Sequence, residues 1–197
     1  MLNKPYAAAA EQNRNDILRV LEKEFKTTRS ILEIGSGTGQ HAVYFAEHMP
    51  HLNWQCSDKK EMLAGINLWI EEARLTNTPT AIELDVTGTW PQTNYDGAYA
   101  ANIAHIMHSN EIEALFSGLG QVLMPQAKFC LYGPFNIDGQ YTGESNREFD
   151  LWLRQRDAAS YLRDKSDLDE LARHNQLEPV NCHSMPSNNL ILCWQKI

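Results

Sequence analysis

Short apolar runs alternate along the chain with longer stretches whose apolar residues recur at helical spacing. The first run, Ile31 to Ile34, lacks that spacing and leads into a glycine-rich turn, so it predicts a buried strand. Further runs predict strands at 52–57, 80–84, 95–101 and 127–132. Helical patterns separate them at 40–47, 59–74 and 110–124. Strands that alternate with helices are typical of an α/β fold with a mostly parallel sheet and helices on both faces.

Both ends of the chain add elements to this sheet. Residues 1–29 contain apolar residues at helical spacing, which predicts a helical cover on one sheet face; the alternative is a lid that brings Tyr6, Asn13 or Arg14 near a ligand. Near the C-terminus a short helix at 167–174 precedes strands at 179–183 and 190–195. Their short MPSNN connection requires an antiparallel pair, which gives a seven-stranded sheet.

Three glycines follow the first strand at alternate positions, Gly35, Gly37 and Gly39. Glycine allows positive φ and lets a ligand lie against the backbone, and Thr38 can cap the helix that follows. The dinucleotide pattern G-x-G-x-x-G requires a third glycine where this chain has Gln40. The turn therefore predicts a nucleotide-like ligand but disfavours a dinucleotide.

Two acidic residues directly follow predicted strands. Asp58 lies about 20 residues beyond the glycine turn, where a second parallel strand returns a carboxylate beside the turn to accept from ribose hydroxyls. Asp85 follows the third strand and, as an alternative to ligand binding, can be a turn or cap carboxylate.

The fourth strand leads into the segment NIAHIMHSN, which places Asn102, His105 and His108 at the ligand edge of a parallel sheet. The alternative is a helical turn that buries one histidine and exposes the other. An H-x-x-H metal site lacks an evident third ligand, and we predict no metal.

We predict a substrate lid over residues 133–165, because a loop of about a dozen residues in a compact domain is more often functional than idle. It begins as a Pro and Gly loop after Tyr132, includes Tyr141, and becomes a helix whose start is marked by Ser145 with Glu148 three residues on. A surface Ω-loop is the alternative.

Composition restricts the function classes further. A chain of 197 residues predicts one domain, 1–197. The net charge of −8 disfavours nucleic-acid partners, and no apolar run suits a membrane span or an export signal, so we expect a cytoplasmic protein. Four dispersed cysteines are expected to be reduced core residues.

The glycine turn matches acid-x-G-x-G-x-G, with Glu33 as the acid, and resembles motif I of the class I S-adenosylmethionine (SAM) methyltransferases. Together with YGPFN, DGQYTGESNREFD, YLRDKSDLDELA and MPSNNL, it is similar to the methyltransferase-like protein 26 family over nearly the whole chain. The chain lacks the Pro-Pro-aromatic sequence after Asn102 that methyltransferases of base amines often carry. The resemblance implies a Rossmann-like class I methyltransferase fold and a SAM cofactor, but no particular substrate.

It also implies a set of cofactor-binding residues: Glu33, Gly35, Ser36, Gly37, Gly39, Gln40, His41, Asp58, Asp85, Val86 and Asn102. For catalysis we predict His105 as proton acceptor, with His108 as the alternative, and Tyr132 and Tyr141 as groups that orient the acceptor.

The predicted function is methyl transfer to a small molecule. The rival hypotheses are a catalytically silent SAM-binding protein that acts through a partner, a protein methyltransferase that attracts a basic peptide, and an NAD-dependent oxidoreductase.

Overall fold

The computed structural model describes residues 4–197. The α-helices in this range are α1 (Ala8–Glu24), α2 (Gln40–His48), α3 (Leu63–Ala73), α4 (Ser109–Val122), α5 (Glu144–Arg156) and α6 (Lys165–His174). The strands are β1 (Ser30–Ile34), β2 (Asn53–Asp58), β3 (Ile82–Glu83), β4 (Tyr95–Ala101), β5 (Leu123–Pro134), β6 (Asn136–Ile137), β7 (Gln140–Tyr141), β8 (Leu177–Met185) and β9 (Asn189–Lys196). Short 3₁₀ helices occur at Lys60–Met62 and Pro186–Asn188.

Seven strands form one sheet in the order β3-β2-β1-β4-β5-β9-β8, and β6 pairs with β7 in a separate hairpin. The pairs among β1 to β5 are parallel, whereas β9 runs antiparallel to both β5 and β8. The mostly parallel sheet and its antiparallel terminal pair are therefore as predicted from the sequence.

The central strand β1 is buried on both faces. Ile31 belongs to an apolar cluster with α1, α2 and α3, whereas Leu32 and Ile34 belong to a cluster with α4 and α6. Successive side chains of a strand point to opposite faces, so a continuous apolar run requires helices on both sides of the sheet.

The strand register brings several carboxyl ends to one edge of the sheet. Ile34 at the end of β1 is aligned with Ser57 on β2 and Ala100 on β4, and Ala101 is aligned with Tyr132 on β5. The chain segments that follow these strands consequently meet at this edge.

Three local predictions were wrong. Helix α5 begins at Glu144 after Gly143, and Ser145 Oγ accepts a hydrogen bond from Asn188 instead of capping the helix. The third strand is reduced to Ile82–Glu83 at the sheet edge. Of the four cysteines, Cys182 is exposed and does not belong to the core.

Within residues 4–197, every helix is too short or too polar to cross a bilayer.

Candidate active site

The turn between β1 and α2 has positive φ at Gly35, Gly37 and Gly39. A Cβ on Gly35 would lie 2.7 Å from Ile103 Cγ2, and one on Gly39 would lie 3.2 Å from the Ile66 backbone. These two glycines therefore permit close packing. At Gly37 a Cβ would meet nothing within 4 Å, so this part of the backbone faces open space.

Asp58, at the end of β2, lies directly against this turn. Its Oδ2 accepts from the Gly37 N–H at 2.8 Å and its Oδ1 accepts from the Lys59 N–H at 2.7 Å. Burial raises the pKa of the Asp58 carboxyl. Each oxygen retains a further lone pair that can accept from a ligand hydroxyl.

A cleft of about 420 Å³, the glycine-loop cleft, opens beside this pair. Its walls are Gly35, Gly37, Asp58, Lys59, Glu61, Met62, Ala101, Asn102, Ile103, Ile106, Met107 and Glu111. One wall is thus polar backbone and carboxylate, whereas the apolar side chains after β4 supply the other. This combination suits a ligand with a hydroxylated sugar and a flat apolar base.

The rim of the cleft carries a cation held between two acids. Lys59 Nζ lies 3.3 Å from a Glu111 oxygen and 3.9 Å from Asp85 Oδ2. The hydrogen bond with Glu111 raises the pKa of Lys59. Asp85 itself lies outside the cleft wall, and its Oδ1 accepts from the Thr87 N–H and hydroxyl, as in the turn-carboxylate alternative.

Asn102 lies where two cavities meet. Its φ is +58° and its N–H donates to the Tyr132 carbonyl at 2.8 Å. It lines both the glycine-loop cleft and a second space of about 260 Å³, the α1 cavity. The other walls of the α1 cavity are Ala9, Gln12, Asn13, Asp16, Tyr132, Pro186, Ser187 and Asn189. The carboxyl end of β4 therefore borders both the glycine-loop cleft and the α1 cavity.

The 3₁₀ turn at Pro186–Asn188 is fixed by the segment around α5. The Asn188 carbonyl accepts from Asn146 Nδ2 at 2.9 Å and from Thr142 Oγ1 at 3.2 Å. Ser187 and Asn188 both have a φ of +58°, a conformation uncommon for residues other than glycine. Contacts from residues 142–146 thus shape one wall of the α1 cavity.

The loop after β4 is fixed by a buried arginine. Arg163, only 5% exposed, donates to the carbonyls of Ala104 and Met107 and to the Ser109 hydroxyl. Its guanidinium also lies 3.7 Å from the centre of the Tyr161 ring. Ser160 Oγ also donates to the Ile106 carbonyl at 3.3 Å, so two side chains from residues 133–165 hold the apolar wall of the glycine-loop cleft.

Seven of the eleven predicted cofactor residues lie outside the cleft wall: Glu33, Ser36, Gly39, Gln40, His41, Asp85 and Val86. Glu33 is buried, and its Oε2 accepts from Trp54 Nε1 and Ser36 Oγ, each at 3.0 Å. Burial raises the pKa of Glu33 to about 7, although these two hydrogen bonds oppose the shift.

Gln40 and His41 connect α2 to the N-terminal segment. Gln40 Oε1 accepts from the Ala7 N–H at 2.6 Å, and the His41 ring lies 2.7 Å from Asn13 Oδ1. Burial lowers the pKa of His41 to about 4, so it is neutral at pH 7. His41 therefore contacts a residue of the α1 cavity wall, and neither Gln40 nor His41 lines the cleft.

The predicted catalytic residues occupy different surroundings. Tyr132 lines the α1 cavity, and burial raises the pKa of its phenol. His105 is buried edge-on against Phe149, with its pKa lowered by burial to about 4, and lies outside the walls of both cavities.

Tyr141 is 39% exposed and donates to Asp150 at 2.9 Å, away from both cavities. His108 is exposed and lies 2.7 Å from Asp157 Oδ2. Val86 is buried and lies outside the cleft wall. Among the predicted residues, those brought together at the cleft are Gly35, Gly37, Asp58 and Asn102.

Sequence reasoning missed the residues that complete the two cavities. Met62, Ile103 and Met107 line the cleft, Arg163 fixes its wall, and Ser187 lines the α1 cavity. The only signal for these residues in the sequence is that they follow strand ends or lie in the segments that connect helices and strands.

A second polar cluster lies away from this edge. Glu24 on α1 pairs with Lys128 at 2.8 Å and with His183 at 2.7 Å, and Cys193 lies nearby. The lysine places a positive charge where a metal ion would have to lie. We interpret the cluster as a hydrogen-bonded ion pair between α1 and the sheet.

Solved structures of similar fold are methyltransferases. Mitomycin 7-O-methyltransferase MmcR matches with a TM-score of 0.84 and 10% identity, over 96% of this chain and 55% of that one. An O-methyltransferase family 2 protein from Planctomyces limnophilus, solved with apigenin, matches with a TM-score of 0.82 and 14% identity, over 96% and 59%. CalO1, a methyltransferase in calicheamicin biosynthesis solved with SAH, matches with a TM-score of 0.79 and 15% identity, over 96% and 54%.

These likenesses show that the fold is that of the class I methyltransferases. The chain spans a little more than half the length of each of these proteins. A family model described as a protein of unknown function (DUF938) matches residues 4–196.

Proposed function

Since the chain belongs to the DUF938 family, whose description names no activity, we propose a function from its site: SAM-dependent methyl transfer to a small molecule. SAM binds in the glycine-loop cleft and the methyl acceptor in the α1 cavity. The proposal rests above all on Asn102, which lines both spaces at the end of β4. We also propose that the chain is related to the methyltransferase-like protein 26 family. It would form a single domain, in which the N-terminal helix covers the sheet and residues 133–165 form the lid.

The residues of the cleft fit an adenosyl ligand. Gly37 leaves room for a ligand against its backbone, and Asp58 offers acceptors for ribose hydroxyls. Ile103, Ile106 and Met107 supply an apolar wall for the adenine ring. The Asp58 bond to Gly37 holds the carboxylate against the turn, and such preorganisation lowers the cost of binding.

When bound, SAM supplies a methyl group on a sulfonium, and the C–S electrons remain on sulfur as the methyl passes to a nucleophile. The protein's task is then to hold the acceptor in line and to exclude water. Tyr132 can orient an acceptor through its hydroxyl, and its raised pKa keeps it protonated at neutral pH. The proposed roles of His105 and Tyr141 require movement of the segment that surrounds them, because neither lines a cavity here.

Calorimetric titration of the protein with SAM, S-adenosylhomocysteine (SAH) and NAD tests the cofactor. Micromolar binding of SAM and SAH, about −8 kcal/mol, without NAD binding is the expected result. SAH formation from SAM in a fractionated metabolite extract then tests catalysis. Binding without turnover in any fraction would favour the catalytically silent alternative.

Replacing Arg163 with methionine is expected to weaken SAH binding about tenfold, or about 1.4 kcal/mol. The substitution removes the donors that hold the Ala104 and Met107 carbonyls, so the apolar cleft wall loses its anchor. Arg163→Lys should restore little of the SAH affinity, because one ammonium cannot reproduce the planar set of N–H donors of the guanidinium. Calorimetry with SAH measures the effect.

Arg156→Met is the matched control, since Arg156 is exposed and lies over the Trp152 ring instead of the loop. Equal SAH affinity in Arg163→Met and Arg156→Met would show that the Arg163 hydrogen bonds to the apolar cleft wall do not contribute to SAH binding. Melting temperatures separate a local effect from loss of the fold.

A further inference from the structure

The α1 cavity has a one-sided charge. Among its nine lining residues the only ionisable group besides the Tyr132 phenol is the Asp16 carboxylate, and none is lysine, arginine or histidine. A ligand carboxylate in this cavity would face a like charge with no lining cation to neutralise it. A ligand cation would face Asp16.

The charge of Asp16 is not cancelled by its own partner. Arg19 Nη1 lies 2.9 Å from Asp16 Oδ1, but the Arg19 side chain is 74% exposed. Such exposed pairs are weak because water screens them and two long side chains must be ordered. The Asp16 charge also acts inside the cavity, where it adds to the effect of burial in raising the pKa of Tyr132.

The remaining lining is neutral, and apart from Ala9 and Pro186 it is polar. Gln12 and Asn189 offer amide donors and acceptors, whereas the Asn13 side chain is already engaged by the His41 ring and by the Tyr132 hydroxyl. Asn102, at the boundary with the glycine-loop cleft, can hydrogen-bond an acceptor group beside the transferred methyl. Amides in this arrangement suit hydroxyl and amine ligands, which both donate and accept.

We propose that the α1 cavity binds a small acceptor with two polar ends, a cationic ammonium that faces Asp16 and a hydroxyl or second amine that faces Asn102. This inference rests on the proposed function and specifies its substrate class as amino alcohols and diamines. The ammonium has no lone pair, so the group at the Asn102 end is the nucleophile. Its lone pair forms the bond to the methyl carbon, the C–S bond breaks with its electrons on sulfur, and the nucleophile's proton passes to water.

Three probes of equal length test the charge preference: 3-amino-1-propanol, 1,3-propanediol and 3-hydroxypropanoate. Their binding is measured by ligand-observed NMR, with and without saturating SAH. We expect the amino alcohol to bind about fivefold more tightly than the carboxylate, with the diol between them, because Asp16 is itself 37% exposed and water screens its charge in part. In Asp16→Asn this preference should fall to within about twofold, while SAH affinity stays unchanged.

Glu22→Gln provides the control, because it removes one negative charge from an exposed position on the same helix and should leave the preference intact. The inference is overturned if the carboxylate or diol binds as well as the amino alcohol, if none of the probes binds, or if the preference survives in Asp16→Asn. Failure of SAH to bind the unmodified protein instead overturns the proposed function. Because the probes are also measured without SAH, this failure can be told apart from a failure of the inferred acceptor preference.

Discussion

Replacement of Asp58 by alanine is expected to weaken SAH binding by about 100-fold, or about 2.7 kcal/mol. The carboxylate lines the glycine-loop cleft and holds the Gly37 N–H at 2.8 Å. Its loss removes a charged acceptor for ribose hydroxyls and also releases the turn, and hydrogen bonds to charged groups contribute about 1.5–3 kcal/mol each. Titration calorimetry with SAH provides the measurement.

The matched control is Glu83→Ala. Glu83 is aligned with Asp58 on the neighbouring strand, but it is exposed and lies outside the cleft wall. Asp58→Asn gives an intermediate case, because an amide oxygen can still accept from Gly37 while the charge is lost. Undiminished SAH affinity in Asp58→Ala would place the ligand elsewhere and remove the main support for the proposed cofactor site.

Substitution of Glu33 by glutamine is expected to change the pH dependence of stability by about 3 kcal/mol. Burial raises the folded-state pKa of Glu33 from 4.5 to about 7. Below pH 4.5 the carboxyl is protonated in both states; between pH 4.5 and 7 it is protonated chiefly in the folded state. The folded state then binds more protons, so rising pH lowers the free energy of unfolding until Glu33 ionises near pH 7.

Glutamine stays neutral and keeps an oxygen that can accept from Trp54 and Ser36. The variant should therefore gain stability relative to the unmodified protein as pH rises from about 4.5 to about 8. Urea unfolding at several pH values gives the difference between the two free energies. Glu47→Gln, at an exposed position on α2, should show no such trend. Parallel pH curves for Glu33→Gln and the unmodified protein would contradict the buried-acid assignment.

The features predictable from sequence follow local rules. Glycine spacing at Gly35, Gly37 and Gly39 identified the turn, because few other residues tolerate positive φ there. The placement of Asp58 beside the glycine turn is predictable from the length of one strand-helix-strand unit. The antiparallel terminal pair followed from a connection too short for a crossover.

Contacts between distant segments could not be predicted in this way. Arg163 acts through the Ala104 and Met107 carbonyls, and backbone acceptors leave no signature in a sequence. The hairpin of β6 and β7 has only two residues in each strand, too few for an alternating pattern. Glu33 lies on the same face of β1 as Ile31. Because β1 is buried on both faces, its sequence shows no polar and apolar alternation that would reveal the burial of Glu33.

The position of Asn102 has a thermodynamic consequence. Because this residue belongs to the walls of both cavities, a ligand that favours one arrangement of Asn102 would, under the proposed function, alter the binding equilibrium in the neighbouring space. Linkage makes such an effect reciprocal: each ligand changes the affinity for the other by the same factor. Under the proposed function, SAH affinity measured with and without an acceptor in the α1 cavity would give the coupling free energy that passes through this residue.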